Sequence, residues 1–127
     1  MSGPSGTGPV RFDKQPISGE RFEAVGVFDV DNDGQLDIVS GGFWYPGPDF
    51  AEQVFLCDVE ADGEYYDDFS TIPLDVDGDG LLDVVTGGWG GETLRWRRNP
   101  GERGAAWSEH EIARVGFVET TRAWDVD

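Results

Sequence analysis

The stretch Leu74 to Gly88 reads LDVDGDGLLDVVTGG, and it crowds four aspartates around two glycines before running into an apolar segment. Counting Asp75 as position 1, carboxylates fall at positions 1, 3, 5 and 9 (Asp75, Asp77, Asp79, Asp83), with Gly80 at 6 and the backbone carbonyl of Leu81 at 7. Four like charges so close together repel one another, and a bound cation would remove that cost. Hard oxygen donors, with a glycine where the chain turns sharply, are the donor set of a calcium loop. Magnesium demands a tighter octahedron and gives up water reluctantly, and the absence of thiolate and imidazole argues against zinc.

The pattern occurs twice. In FDVDNDGQLDIVSGG, Phe28 to Gly42, the carboxylates are Asp29, Asp31, Asp33 and Asp37, Gly34 is the turn, and Gln35 offers the backbone carbonyl. An EF-hand would need a glutamate at position 12 and flanking helices, but Ser40 and Thr86 stand there. The loops run instead into DIVSGG and DVVTGG, whose β-branched residues and paired glycines predict a strand and a tight turn, with the last carboxylate at the start of the strand.

The loops are phases of a longer repeat. The step from Asp29 to Asp75 is about 46 residues, and a further step of about 50 leads to Asp125 and Asp127, which would be positions 1 and 3 of a partial third loop. FWYPGP after the first Gly-Gly answers to LRWRRNPG after the second, each a strand carrying a tryptophan (Trp44, Trp96) closed by a Pro-Gly turn. FDKQPI, Phe12 to Ile17, answers to WSEHEI, Trp107 to Ile112. Periods of this length with several short strands per unit predict an all-β fold of propeller blades, about 2.4 four-stranded repeats here.

Residues 11–127 resemble the FG-GAP or VCBS type repeats of calcium-binding β-propellers, relatives of the integrin α-subunit head. The doubled D-x-D-x-D-G-x-x-D loop followed by a strand and Gly-Gly carries the resemblance. It implies four-stranded blades round an axis, each calcium loop joining two strands of a blade, and an extracytoplasmic setting. The insertion CDVEADGEYYDDFSTI, Cys57 to Ile72, departs from the pattern and is expected to be a surface loop. A closed propeller needs more blades, so the sequence reads as a piece of a longer propeller or as a unit of a homo-oligomer that completes one.

Composition narrows the partners. The formal net charge is −17, from 26 acidic and 9 basic residues, which excludes nucleic acid and anionic membrane surfaces. No stretch is long and apolar enough to insert in a bilayer, and MSGPSGTGPV, residues 1–10, has the Gly, Ser and Pro content of a disordered lead, with no signal-peptide pattern. The single Cys57 forms no disulfide within the chain. Calcium of modest affinity stays bound outside the cytosol, so an extracellular or periplasmic location is expected.

Catalytic signals are sparse. His110 is the only histidine and alternates with Trp107 and Ile112 as a strand residue would, and no pair of acids outside the loops has the context of a glycosidase pair. Of the five tryptophans, Trp44, Trp96 and Trp107 recur in phase and are expected in the core. Trp89, in GGWGGE, fits core packing and sugar binding equally well. Arg95 and Arg97 share a strand face and, with Arg98, are expected to balance nearby acids. The reading is of a non-enzymatic calcium-binding scaffold for a carbohydrate or protein ligand, with an accessory part of a secreted carbohydrate-active enzyme as the alternative.

Overall fold

The computed structural model describes residues 8–127, and these are all-β, with no helix among them. Most of the expected lead, residues 1–7, lies outside the described residues; residues 8–10 are exposed and carry no strand.

Two four-stranded antiparallel meanders hold the fold. The first consists of β1 (Gly26–Phe28), β2 (Asp37–Ser40), β3 (Phe43–Tyr45) and β4 (Val54–Phe55), paired in that order. Between the two meanders lies a short hairpin, β5 (Ala61–Asp62) and β6 (Tyr65–Tyr66). The second meander pairs β7 (Ile72–Leu74), β8 (Asp83–Gly87), β9 (Thr93–Arg98) and β10 (Ser108–Arg114) in sequence order. The acidic loops occupy the same place in both sheets, between β1 and β2 and between β7 and β8, and Asp37 and Asp83 begin the strands that follow. Among the described residues the sheets do not close into a ring.

Strand register shows why the sequence repeats. Val39 lies opposite Trp44, and Val85 lies opposite Trp96, so the two tryptophans hold equivalent positions. Their burial differs because the sheets pack through unlike faces. The Val39, Trp44 and Val54 face of the first sheet meets the Val84 face of the second, and Phe28, Val30, Leu56 and Trp107 complete one shared core. Trp44 and Trp107 are buried there, as expected; Trp96 is only half-buried, on the outer face of the second sheet, stacked on His110 at 4.8 Å between ring centroids. At the first-strand ends the sheets nearly touch: a side chain at Gly26 would come within 2.9 Å of Thr71 Cγ2.

Two expectations change. Residues 12–17 form no strand, although their counterpart supplies most of β10, because β10 has β9 beside it and residues 12–17 pair with no strand. The Cys57 to Ile72 insertion lies at the surface through its hairpin, but Asp67, Asp68 and Ser70 just beyond it are buried. There Asp67 accepts from Arg95 Nη1 at 2.8 Å, and Asp68 Oδ1 accepts from Thr86 Oγ1 at 2.7 Å and from Arg97 Nη1 at 3.2 Å. Arg95 and Arg97 do share one face and do balance acids, namely Asp67 and Asp68 of the insertion and Glu109 of β10.

Truncation should separate the two equivalent tryptophans. Trp44→Ala is expected to cost about 3–5 kcal/mol, as full removal of a buried ring does, and Trp96→Ala clearly less. Urea denaturation of both variants measures the difference, and equal losses would contradict the shared-core arrangement.

Candidate metal centre

Each loop wraps its carboxylates inward through backbone hydrogen bonds. In the first, Asp29 accepts from the amides of Asp33 (3.2 Å) and Gly34 (2.8 Å), and Asp33 accepts from Gln35 N at 2.8 Å. The second repeats the pattern: Asp75 accepts from Gly78 and Gly80, both at 2.9 Å, and Asp79 from Leu81 N at 3.0 Å. Gly34 and Gly80 have φ of 86° and 89°, a conformation open to glycine and strained for other residues, which is why both loops carry glycine at position 6. Asn32 takes the left-handed conformation that Gly78 takes in the second loop, as asparagine tolerates.

Carboxylate oxygens of Asp29, Asp31, Asp33 and Asp37 lie within 4.8 Å of one another, as do those of Asp75, Asp77 and Asp83. Either group could hold a metal ion. Asp79 falls outside the second group; its Oδ2 lies 3.4 Å from Arg98 Nη2. Gln35 and Leu81 follow the turn glycines as the spacing predicts, with Gln35 exposed and Leu81 half-buried. Asp125 and Asp127 are exposed, and among the described residues no metal-holding acidic group includes them.

The last carboxylate of each loop is its structural anchor. Asp37 and Asp83 are fully buried and bind the chain at both oxygens. Asp37 accepts from Val30 N (2.7 Å) and Gly47 N (2.9 Å); Asp83 accepts from Val76 N (2.9 Å) and Asn99 N (2.8 Å). Burial raises both above the ordinary value of 3.8 against those hydrogen bonds, and the neighbouring loop carboxylates push the same way. A divalent cation would act in the opposite direction by favouring the charged form.

Residues that no loop motif foretold complete the centre. Asn99, buried at the end of β9, donates from Nδ2 to Val30 O at 2.8 Å and to Leu82 O at 3.2 Å, so one side chain clamps both loops. Asn32 Nδ2 donates to Gly80 O at 3.1 Å, placing the loops side by side. Arg98 binds Asp77 Oδ2 at 2.7 Å and holds that carboxyl below its ordinary range; Arg103 binds Asp31 at 3.1 Å while lying 5.3 Å over the Trp44 ring. The NPG segment of LRWRRNPG gives the one sequence hint of Asn99, as the counterpart of the turn after Trp44.

The fold and site together define an all-β protein of two four-stranded antiparallel sheets, each with an acidic loop cluster at its head, and a two-stranded hairpin between them. Compared with family models, curated proteins and solved structures, the chain matches none.

The raised carboxyls fix the sign of a pH effect. In the metal-free chain Asp37 and Asp83 contribute stability below 3.8 and withdraw it as pH rises through their raised folded values. Asp77, lowered by Arg98, acts oppositely, but it is exposed and weighs little. With a chelator, the melting temperature should therefore rise as pH falls through the raised folded values of Asp37 and Asp83 toward 3.8; with a bound divalent metal it should fall over the same range, because protons then compete with the ion. Circular dichroism melts with and without chelator measure both slopes, and like signs would rule out a metal held by these carboxylates.

Proposed function

We propose that this chain is a non-enzymatic calcium-binding module of the FG-GAP or VCBS propeller type, serving as a binding or adhesion scaffold for a carbohydrate or protein ligand outside the cytosol. The observation that carries the proposal is the convergence of four carboxylates within 4.8 Å in the first loop, at positions 1, 3, 5 and 9 around a left-handed glycine. The donors are all oxygen and the loop supplies several protein ligands where magnesium would keep its waters, so calcium suits it better than magnesium or zinc.

Blade architecture is supported by two meanders of the same strand order, with the loop in the same place and a common core between them. The metal's role is structural: it neutralises the loop and fixes the register of the two strands that the loop joins. The chain's one thiol is not an activated nucleophile. Burial, ahead of the charges around it, pushes Cys57 up to about 11, which keeps it protonated and poorly nucleophilic.

The double variant Asp29→Ala, Asp31→Ala is expected to lose one calcium equivalent while the second loop keeps its own. At calcium about a hundredfold above Kd, the lost ion should lower stability by about 2.7 kcal/mol. Equilibrium dialysis and chemical denaturation read the two effects, and unchanged calcium uptake would sink the assignment.

A further inference from the structure

A second site lies one strand length from the metal loops, about 15 Å along β8. There a cleft of 510 Å³ opens between the β5–β6 hairpin and the β8–β9 loop, lined by Glu23, Tyr65, Phe69, Trp89 and Glu119. Trp89 and Tyr65 are 47% and 58% exposed, so both present ring surface to solvent.

These rings are held in place. The glycines beside Trp89 let the loop press against a buried acid: a side chain at Gly88 would overlap the Asp67 carboxylate, and one at Gly91 would come within 2.7 Å of Asp67 Oδ2. Asp67 in turn accepts from Gly91 N at 3.1 Å and from Arg95 Nη1 at 2.8 Å, and its carbonyl accepts from Arg95 Nη2 at 2.8 Å. Phe69 N donates to Gly87 O at 2.8 Å, and Phe117 supports Trp89 with ring centroids 5.5 Å apart. On the hairpin, Tyr66 packs on Phe22 at 4.6 Å, which leaves its neighbour Tyr65 for the cleft. The buried Asp67–Arg95 pair, unused by the metal centre, thus sets the spacing of an aromatic cleft.

We propose that this cleft binds an organic cation, a substituted ammonium or guanidinium group, against the faces of Trp89 and Tyr65 with Glu23 and Glu119 as counter-charges. The proposal rests on the reading of the chain as a binding scaffold and names the ligand chemistry of one of its sites. Aromatic faces attract cations through their quadrupoles, tryptophan most strongly. Both charged side chains in the lining are carboxylates, which a cation would neutralise and a neutral sugar would leave uncompensated. Anions are repelled by the same two groups and by a chain of net charge −17.

The test is calorimetric titration of the calcium-loaded chain with tetraethylammonium, with N-acetylargininamide and with a neutral disaccharide, calcium uptake being measured on the same samples. Either cation should bind at one saturable site with Kd below about 10 mM. Trp89→Ala should weaken binding at least about tenfold, the exposed Glu119→Gln by a few-fold, and about 0.5 M salt should weaken it further. Calcium uptake should be unchanged in both variants. Lack of saturable cation binding, preference for the disaccharide, or unchanged affinity in both variants would overturn the site while leaving the scaffold reading intact. Loss of calcium uptake by the unmodified chain would instead count against the scaffold reading.

Discussion

Mutual repulsion among aspartates is the constraint on which the rest of the structure depends. Each loop gathers carboxylates within 4.8 Å of one another, and the fold meets that with backbone amides and one arginine at the rim, leaving oxygens grouped so that they could hold a cation. Asp37 and Asp83 show the cost most clearly. Both are buried carboxyls whose ionised form is disfavoured by burial and by their neighbours, yet both bind the backbone at two points that define where a strand begins. A cation at the loop favours their charged form and so couples metal binding to sheet formation.

That coupling spreads because the loops are tied to each other and to the core. Asn99 joins Asp83 in one loop to the Val30 carbonyl in the other, and Val30 belongs to the same buried cluster as Trp44 and Val84. Arg103 lies over Trp44 while binding Asp31. Along β8 the chain runs from Asp83 at the acidic loop to Gly87 beside the Trp89 loop, so the strand that follows the loop also positions one wall of the aromatic cleft. The opposite wall is anchored by the ion pair of buried Asp67 and half-buried Arg95, which leaves Asp67 Oδ1 and Arg95 Nε without hydrogen-bond partners.

Local pattern made some of this legible before any coordinates. The aspartate spacing located both clusters, and the β-branched residues after Asp37 and Asp83 located β2 and β8, because strand formation there follows from neighbouring residues. Trp44 and Trp96 were recognisable as equivalents, but their unequal burial follows from which sheet face meets which, a tertiary fact with no local signature. Asp79 held the right spacing and still falls outside its cluster, its carboxylate lying instead beside Arg98 across the sheet end. Asp67 and Asp68 looked like two more acids in a surface insertion; their arginine partners lie far along the chain, on β9. The sequence left Trp89 open between core packing and sugar binding, because the close approach of its flanking glycines to Asp67 is a tertiary contact.

The central claim is that the two loops are calcium sites, and calorimetric titration of the metal-free chain with calcium tests it most directly. The account predicts uptake approaching two ions per chain, one for each acidic cluster, with a rise in melting temperature and weaker uptake of magnesium. Absence of calcium uptake, or magnesium bound as tightly as calcium, would contradict it.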